Sequence, residues 1–211
     1  MKKSITILMM VIAMVMATPN SFAQKATKDQ KKAEKSIKKD VKGYKAEGWH
    51  VAPGNLSMEL QLKEAYSKAL EKDENGYDKF IQGEAMSIAE NYDAGLFQAT
   101  NLAKLDLAGK IQTEVTELID TKLANKQLSD KQAASLAESV AASKNLVAQK
   151  IGRVISPVKM YRELGKGRVE VRTVVYYNHE MAMEAMKESI REDLESKADD
   201  LAKQLDKYLG F

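Results

Sequence analysis

The residues that could do chemistry are few, and their spacing does not assemble them into a site. The chain has two histidines, His50 and His179, and no cysteine. The histidines are far apart in the sequence, and neither has a second ligand at metal-binding spacing. A cysteine nucleophile is excluded. We therefore predict no catalytic, cofactor-binding or metal-binding residues, and we expect a protein that is not an enzyme and carries no cofactor.

The remaining motifs have structural explanations. Asn178-His179-Glu180 lies at a predicted strand–helix junction, where Asn178 would cap the helix. Gly165-Lys166-Gly167 lacks the context of a phosphate-binding loop. Carboxylates fall on charged helix faces, so no pair suggests glycoside hydrolysis. Trp49, the only tryptophan, could be a platform for a ligand, but a lone tryptophan at a strand end is more often a core residue.

The N-terminal segment has the three-part layout of a secretory signal peptide. Lys2 and Lys3 precede an apolar run over residues 5–17. Ser21 and Ala23 are the small residues that a signal peptidase requires, which predicts cleavage before Gln24. The run is shorter than the about 20 residues that span a bilayer. Residues 1–23 are therefore interpreted as a cleaved signal peptide rather than a membrane anchor.

The composition after cleavage limits the location and the partners. Without cysteine, no lipid can be attached in the manner of bacterial lipoproteins, and no disulfide can stabilise the exported domain. Removing residues 1–23 leaves 31 basic residues against 30 acidic ones. This near-neutral charge gives no support to nucleic-acid binding. We expect a periplasmic, secreted or outer-membrane-associated protein with no transmembrane segment after cleavage.

A basic leader, residues 24–42, follows the predicted cleavage site. Residues 25–45 contain nine lysines but only three acids, Asp29, Glu34 and Asp40. Apolar residues at helical spacing form only a thin stripe. The pattern favours a solvated helical leader, and contact with anionic lipid or polysaccharide is the alternative.

The next elements are predicted to be a strand and a helix. Aromatic and β-branched residues between Tyr44 and Gly54 predict a first strand that ends at the Pro53-Gly54 turn. Asn55 or Ser57 would cap the following helix. The Asn75-Gly76 pair would end this helix.

Small residues on two neighbouring elements predict a close contact. Residues 79–91 have the pattern of a second strand, with a face of mostly small residues at alternate positions. Residues 93–124 predict a helix with Gly95, Ala99 and Ala103 on one side. The two small faces would pack together. Larger residues further along this helix, Leu107 among them, would reach past the sheet edge or meet another helix.

A helical pair and a hairpin follow. Ser129 or Asp130 would cap a helix that forms an αα-hairpin with the preceding one. Strands on either side of residues 165–167 predict a β-hairpin. Pro157 lies in its first arm, which favours an edge position or a bulge there.

Residues 179–211 have the strongest helical periodicity in the chain. Apolar side chains recur every three or four residues, and the opposite face is charged. Such a helix would dock on its own domain through its first half. Its second half could instead protrude and self-associate as a coiled coil.

Two segments resemble a known family. "GEAMSIAENYDAGLFQATNLAKLDLAGKIQTEV" and "SPVKMYRELGKGRVEVRTVVYY" resemble the LPP-twenty-like lipoproteins of bacterial envelopes. The N-terminal domain of flagellar assembly protein T has a similar layout. The resemblance covers residues 79–178 and implies an envelope or surface protein, with no site residues carried over. The absence of a lipidated cysteine implies a soluble periplasmic or secreted form.

The expected architecture is α+β. A small, mostly antiparallel sheet of about four strands, with helices on one face, would occupy residues 43–178, followed by the helix over residues 179–211. The expected function is a non-enzymatic interaction or structural module whose partners are envelope proteins or envelope polymers. The alternative is a binding protein for a small envelope glycan or lipid in a cleft near Trp49.

Overall fold

A computed structural model describes residues 20–197 and 200–209, with side chains from residue 31 onward. The predicted signal peptide's apolar run therefore lies outside the described residues. The chain divides into two compact units, residues 1–40 and residues 41–211. The described part of the first unit is helical throughout. None of the described helices has the length and apolar character needed to cross a bilayer.

The structure is α+β, as predicted. Its helices are α1 (Asn20–Ala46), α2 (Met58–Leu70), α3 (Tyr92–Ala124), α4 (Asp130–Lys150), α5 (His179–Ser196) and α6 (Leu205–Leu209), with a 3-10 turn over Asp200–Gln204. Its strands are β1 (Phe80–Ala89), β2 (Ile155–Gly165) and β3 (Arg168–Asn178). Ser57, Ser129 and Asn178 cap α2, α4 and α5, which confirms those predicted caps. The Asn75-Gly76 pair does not end α2, which stops five residues earlier.

The three strands form one antiparallel sheet in the order β1-β3-β2. The predicted hairpin of β2 and β3 is confirmed. Pro157 lies on edge strand β2 where the register shifts between Ile155 and Val158, as its missing N–H group requires. The Thr173 hydroxyl donates to the carbonyl oxygen of Val158 at 3.0 Å, so the irregular position retains a hydrogen bond.

The small faces of β1 and α3 pack together as predicted. Ala99 and Ala103 are fully buried. A Cβ atom on Gly83 would overlap the carbonyl oxygen of Ala103, so β1 passes directly against the helix backbone. The Ser87 hydroxyl donates to the carbonyl oxygen of Gly95 at 2.6 Å. Small side chains on both elements thus allow an unusually close approach.

The larger residues of α3 pack against helices as well as against the sheet. Leu107, Ile111 and Val115 are fully buried in a core that also contains residues of α4 and α5, including Leu136 and Ile190. This core is the main hydrophobic contribution to stability, since burying each large aliphatic side chain contributes about 1.5–3 kcal/mol.

Helices cover both faces of the sheet, not one as predicted. Val175 of β3 belongs to the core below α3, whereas its neighbours Val174 and Tyr176 belong to a second core with Met58 of α2 and Trp49. The reason is that β3 carries apolar side chains at consecutive positions. A strand with this pattern must be buried on both faces.

Groups outside the sheet contact its two edge strands. On β1, the Glu84 N–H group donates to Asp106 Oδ2 at 3.0 Å, and Lys110 Nζ donates to the carbonyl oxygen of Gln82 at 2.8 Å. On β2, the Lys159 N–H group donates to Gln61 Oε1 at 2.8 Å. These contacts occupy backbone groups that another strand could otherwise pair with.

The predicted first strand is wrong, and the described residues contain three strands rather than about four. Helix α1 continues to Ala46, and Gly48 then adopts a φ of 84°. The Trp49 N–H group donates to the carbonyl oxygen of Tyr44 at 2.9 Å, which closes the helix end. Only His50 pairs with the sheet, through an isolated bridge to Tyr161. The aromatic residues that suggested a strand fill the second core instead.

The long C-terminal helix is not confirmed. Helix α5 ends at Ser196, and α6 begins at Leu205. Leu205 is fully buried in the main core, and Arg191 of α5 contacts Asp206 at 3.0 Å. The apolar stripe that suggested a coiled-coil seam is thus used within the chain, and its member Ala198 lies outside the described residues.

Candidate functional site

His179 lies at the junction of β3 and α5, where local hydrogen bonds hold it in place. Asn178 ends β3 and caps α5, with its Oδ1 accepting a hydrogen bond from the Met181 N–H group at 2.9 Å. This cap holds His179 at the first position of α5. The backbone N–H group of His179 also donates to the carbonyl oxygen of Lys79, next to β1, at 3.0 Å. The predicted capping role of Asn178 is confirmed, and it is what positions the histidine.

His179 forms a close pair with Glu114 of α3. Its Nε2 atom lies 2.8 and 2.9 Å from the two carboxylate oxygens. The hydrogen bond to Glu114 raises the pKa of His179, with smaller contributions from the charges of Asp78 and Asp73, while burial acts in the opposite direction. The sequence did not reveal this pair, because the two residues are 65 positions apart and Glu114 belongs to a helix with many charged residues.

Two open grooves flank the pair. One has a volume of about 870 Å³ and extends towards α5 and Leu209. The other has a volume of about 630 Å³ and extends towards β1 and Lys110. Asp73, Glu114 and His179 line both. Asp73 Oδ1 already accepts hydrogen bonds from the N–H groups of Asn75 and Tyr77, so this carboxylate stabilises its own loop.

The carboxylates of Glu114 and Glu184, near His179, take part in ion pairs. Glu114 is paired with His179, and Glu184 with Lys187 at 2.7 Å. No group of three potential metal ligands occurs among the residues that the structure describes. The His179–Glu114 pair can bind and release a proton and can link α3 to α5. Among the hydrogen bonds of the described residues, none joins the His179 ring to a serine or threonine hydroxyl group.

The structure does not bring the two histidines together. His50 pairs with edge strand β2, and its exposed ring lies tilted by 49° to the Tyr161 ring, with 5.9 Å between the ring centroids. His179 lies next to β1, on the opposite edge of the sheet.

Trp49 is a core residue in this structure. Its side chain is 3% exposed and packs with Met58 and Val158. The Arg162 guanidinium lies 4.8 Å from the ring centroid, and the indole N–H group donates to Glu47. A ligand would have to displace these groups to reach the ring, and neither groove beside His179 includes Trp49. The cleft near Trp49 stays a prediction.

The outward side of α2 carries exposed apolar side chains. Leu60 is 49% exposed, Tyr66 42% and Leu70 58%. The inward side of the same helix buries Met58, Gln61 and Ala65. Apolar residues on both sides are unusual for a helix at a protein surface, because its solvent side is normally polar. We call Leu60, Tyr66 and Leu70 the α2 outer face.

Helix α1 presents a second distinctive surface. Among the residues of the first unit with described side chains, five lysines are exposed, namely Lys31, Lys32, Lys35, Lys38 and Lys39. We call these five residues the lysine face. The helical leader predicted from the sequence is confirmed as a helix.

Comparisons with protein-family models, with curated proteins and with solved structures find no match. The resemblance to the LPP-twenty-like family therefore stays a prediction. Since the chain contains no cysteine, it is not a lipoprotein.

Proposed function

We propose that this protein is exported to the bacterial cell envelope and acts there as a non-enzymatic interaction module. Export is supported by Lys2 and Lys3, the apolar run over residues 5–17, and the small residues Ser21 and Ala23 before Gln24. The resemblance of residues 79–178 to an envelope family supports the same location.

The observation that carries the interaction role is the α2 outer face. Three large apolar side chains remain substantially exposed there, although the helix is firmly docked through its other side. Gln61 fastens it by accepting from the Lys159 N–H group at 2.8 Å and donating to the carbonyl oxygen of Leu56 at 2.9 Å. A rigid helix with exposed apolar side chains is suited to a protein partner, because such a surface gains stability when another surface covers it.

The non-enzymatic part of the proposal rests on the sequence. It contains no cysteine nucleophile, and its two histidines lack the spacing of a metal pair.

Site-specific photo-crosslinking tests the proposal. A photoreactive residue at Leu60 should yield one discrete adduct with an envelope protein in intact cells. The same residue at Lys131, which is exposed at the start of α4, is the control and should not yield that adduct. Introducing Tyr66→Ser and Leu70→Ser into the Leu60 variant should abolish the adduct.

The outcome that contradicts the interaction role is also specific. Identical adducts from the photoreactive residue at Leu60 and at Lys131 would show that the α2 outer face does not bind an envelope protein. The absence of any adduct both from Leu60 and from a photoreactive residue placed at Leu70 would show the same. Circular dichroism of each variant ensures that a lost adduct does not reflect a lost fold.

A further inference from the structure

The five residues of the lysine face point in similar directions from α1. At about 100° per residue, they fall within an arc of about 120° and along about 12 Å of the helix axis. The acids of this unit with described side chains, Glu34 and Asp40, lie outside the arc. Ala33 and Ile37 lie on the opposite side. The sequence shows only an excess of lysine, whereas the helix places these charges together.

Among the residues whose side chains are described, no ion pair neutralises the positive charge of the lysine face. All five side chains are exposed. The ion pairs of the described residues include none of the five, although lysines elsewhere in the chain pair repeatedly with carboxylates, as Lys79 does with Glu71. Uncompensated charges on one side of a helix produce a positive potential that attracts anions.

We propose that the lysine face binds the surface of a bilayer that contains anionic lipid. The breadth of the arc favours a flat surface over a single polyanion strand, because long lysine side chains on both flanks can extend to one plane. The attachment would be electrostatic rather than by insertion, since the arc of the lysine face contains no apolar side chain between residues 31 and 39. Binding therefore depends on salt and is peripheral.

The test measures binding of the full chain, in the form isolated from the envelope, to vesicles. Phosphatidylcholine vesicles with and without phosphatidylglycerol are compared at low and high salt. One variant carries Lys31→Gln, Lys35→Gln and Lys38→Gln. Glutamine and lysine have similar helix propensities, so α1 should persist, as circular dichroism can check. A control variant removes three lysines that are exposed elsewhere, at Lys126, Lys131 and Lys166.

The protein should bind only the anionic vesicles, and high salt should release it. Each lysine near an anionic bilayer raises affinity about fivefold, so the lysine-face variant should bind about a hundredfold more weakly. The control variant should bind nearly as the wild type does. Equal losses in both variants would overturn the proposal. So would binding to soluble dextran sulfate without binding to the vesicles.

This inference rests on the proposed function in one respect. Export would remove the apolar run at residues 5–17, so that the run could not contribute to vesicle binding. If the isolated protein still began at Met1, export would be contradicted. The lysine-face variant and the control would then carry the same run, and the difference between them would still measure the contribution of the lysine face.

Discussion

Gly83 of β1 lies directly against the backbone carbonyl of Ala103 in α3, with no room for a methyl group between them. A Cβ atom at Gly83 would overlap that oxygen and come within 3.0 Å of the Leu107 Cβ atom. Backbone atoms cannot move aside as the end of a flexible side chain can. This contact fixes the distance between helix and sheet, and it explains why small residues recur on both elements.

Gly83→Ala should therefore destabilise the fold by about 1–3 kcal/mol, because the added methyl group forces β1 and α3 apart. The change in free energy of unfolding can be measured by urea denaturation. Gly152→Ala is the control, since a Cβ atom there meets nothing within 4 Å. Equal stability of the two variants would contradict the close contact.

Gln61 should be required for the docking of α2. Its side chain is 2% exposed and bonds both to β2 and to the carbonyl oxygen of Leu56. Gln61→Ala removes this buried side chain and leaves the two backbone groups without their partner, which should cost about 1–3 kcal/mol. Limited proteolysis should then cut near α2 before the rest of the fold.

Lys63→Ala on the same helix is the matched control for Gln61→Ala, because Lys63 is exposed. It should change the free energy of unfolding by less than about 0.5 kcal/mol. If both variants resist proteolysis as the wild type does, Gln61 does not fasten α2.

The His179–Glu114 pair should stabilise the fold more in acid than in base. Glu114 raises the pKa of His179 above its unfolded value. The contribution is therefore fully present below the ordinary histidine pKa, about 6.5, and is lost as the pH rises through the raised value. Because the two side chains are 30% and 45% exposed, the effect should be only about 0.5 kcal/mol.

This dependence can be measured as the difference in unfolding free energy between wild type and His179→Gln. The difference should be larger at about pH 5.5 than at about pH 8.5. His50→Gln is the control, since the described ion pairs give His50 no carboxylate partner. A pH-independent difference for His179→Gln would show that the pair does not act through its charge.

The C-terminal segment should contribute to the main core rather than protrude. Leu205 is fully buried there, so Leu205→Ala should cost about 2–5 kcal/mol. Lys203→Ala, whose side chain is 84% exposed, should have little effect. Thermal or urea unfolding distinguishes the two, and a negligible cost at Leu205 would favour a protruding helix instead.

These features differ in how far the sequence could predict them. Gly95, Ala99 and Ala103 recur at helical spacing, and this local pattern was enough to predict the contact with the small face of β1. Tyr44 was misassigned to a strand because its aromatic ring serves the second core from the end of α1. Local strand propensity was overridden by tertiary packing.

Long-range features were not accessible to local patterns. The apolar periodicity continues from Leu194 to Leu205, and no glycine or proline marks the end of α5. Helix α5 nevertheless ends at Ser196, and Leu205 packs in the main core. Only the three-dimensional packing reveals this arrangement. The sequence singles out His179 as one of two histidines, but nothing in it identifies Glu114 as the partner of His179.

The central claim of a function in the envelope requires export, and the N-terminus of the protein isolated from bacterial cells tests it most directly. Intact mass and N-terminal sequencing should show a chain that begins at Gln24, recovered from the periplasm, the medium or the outer-membrane fraction. A protein that still begins at Met1 and remains in the cytoplasm would contradict the account.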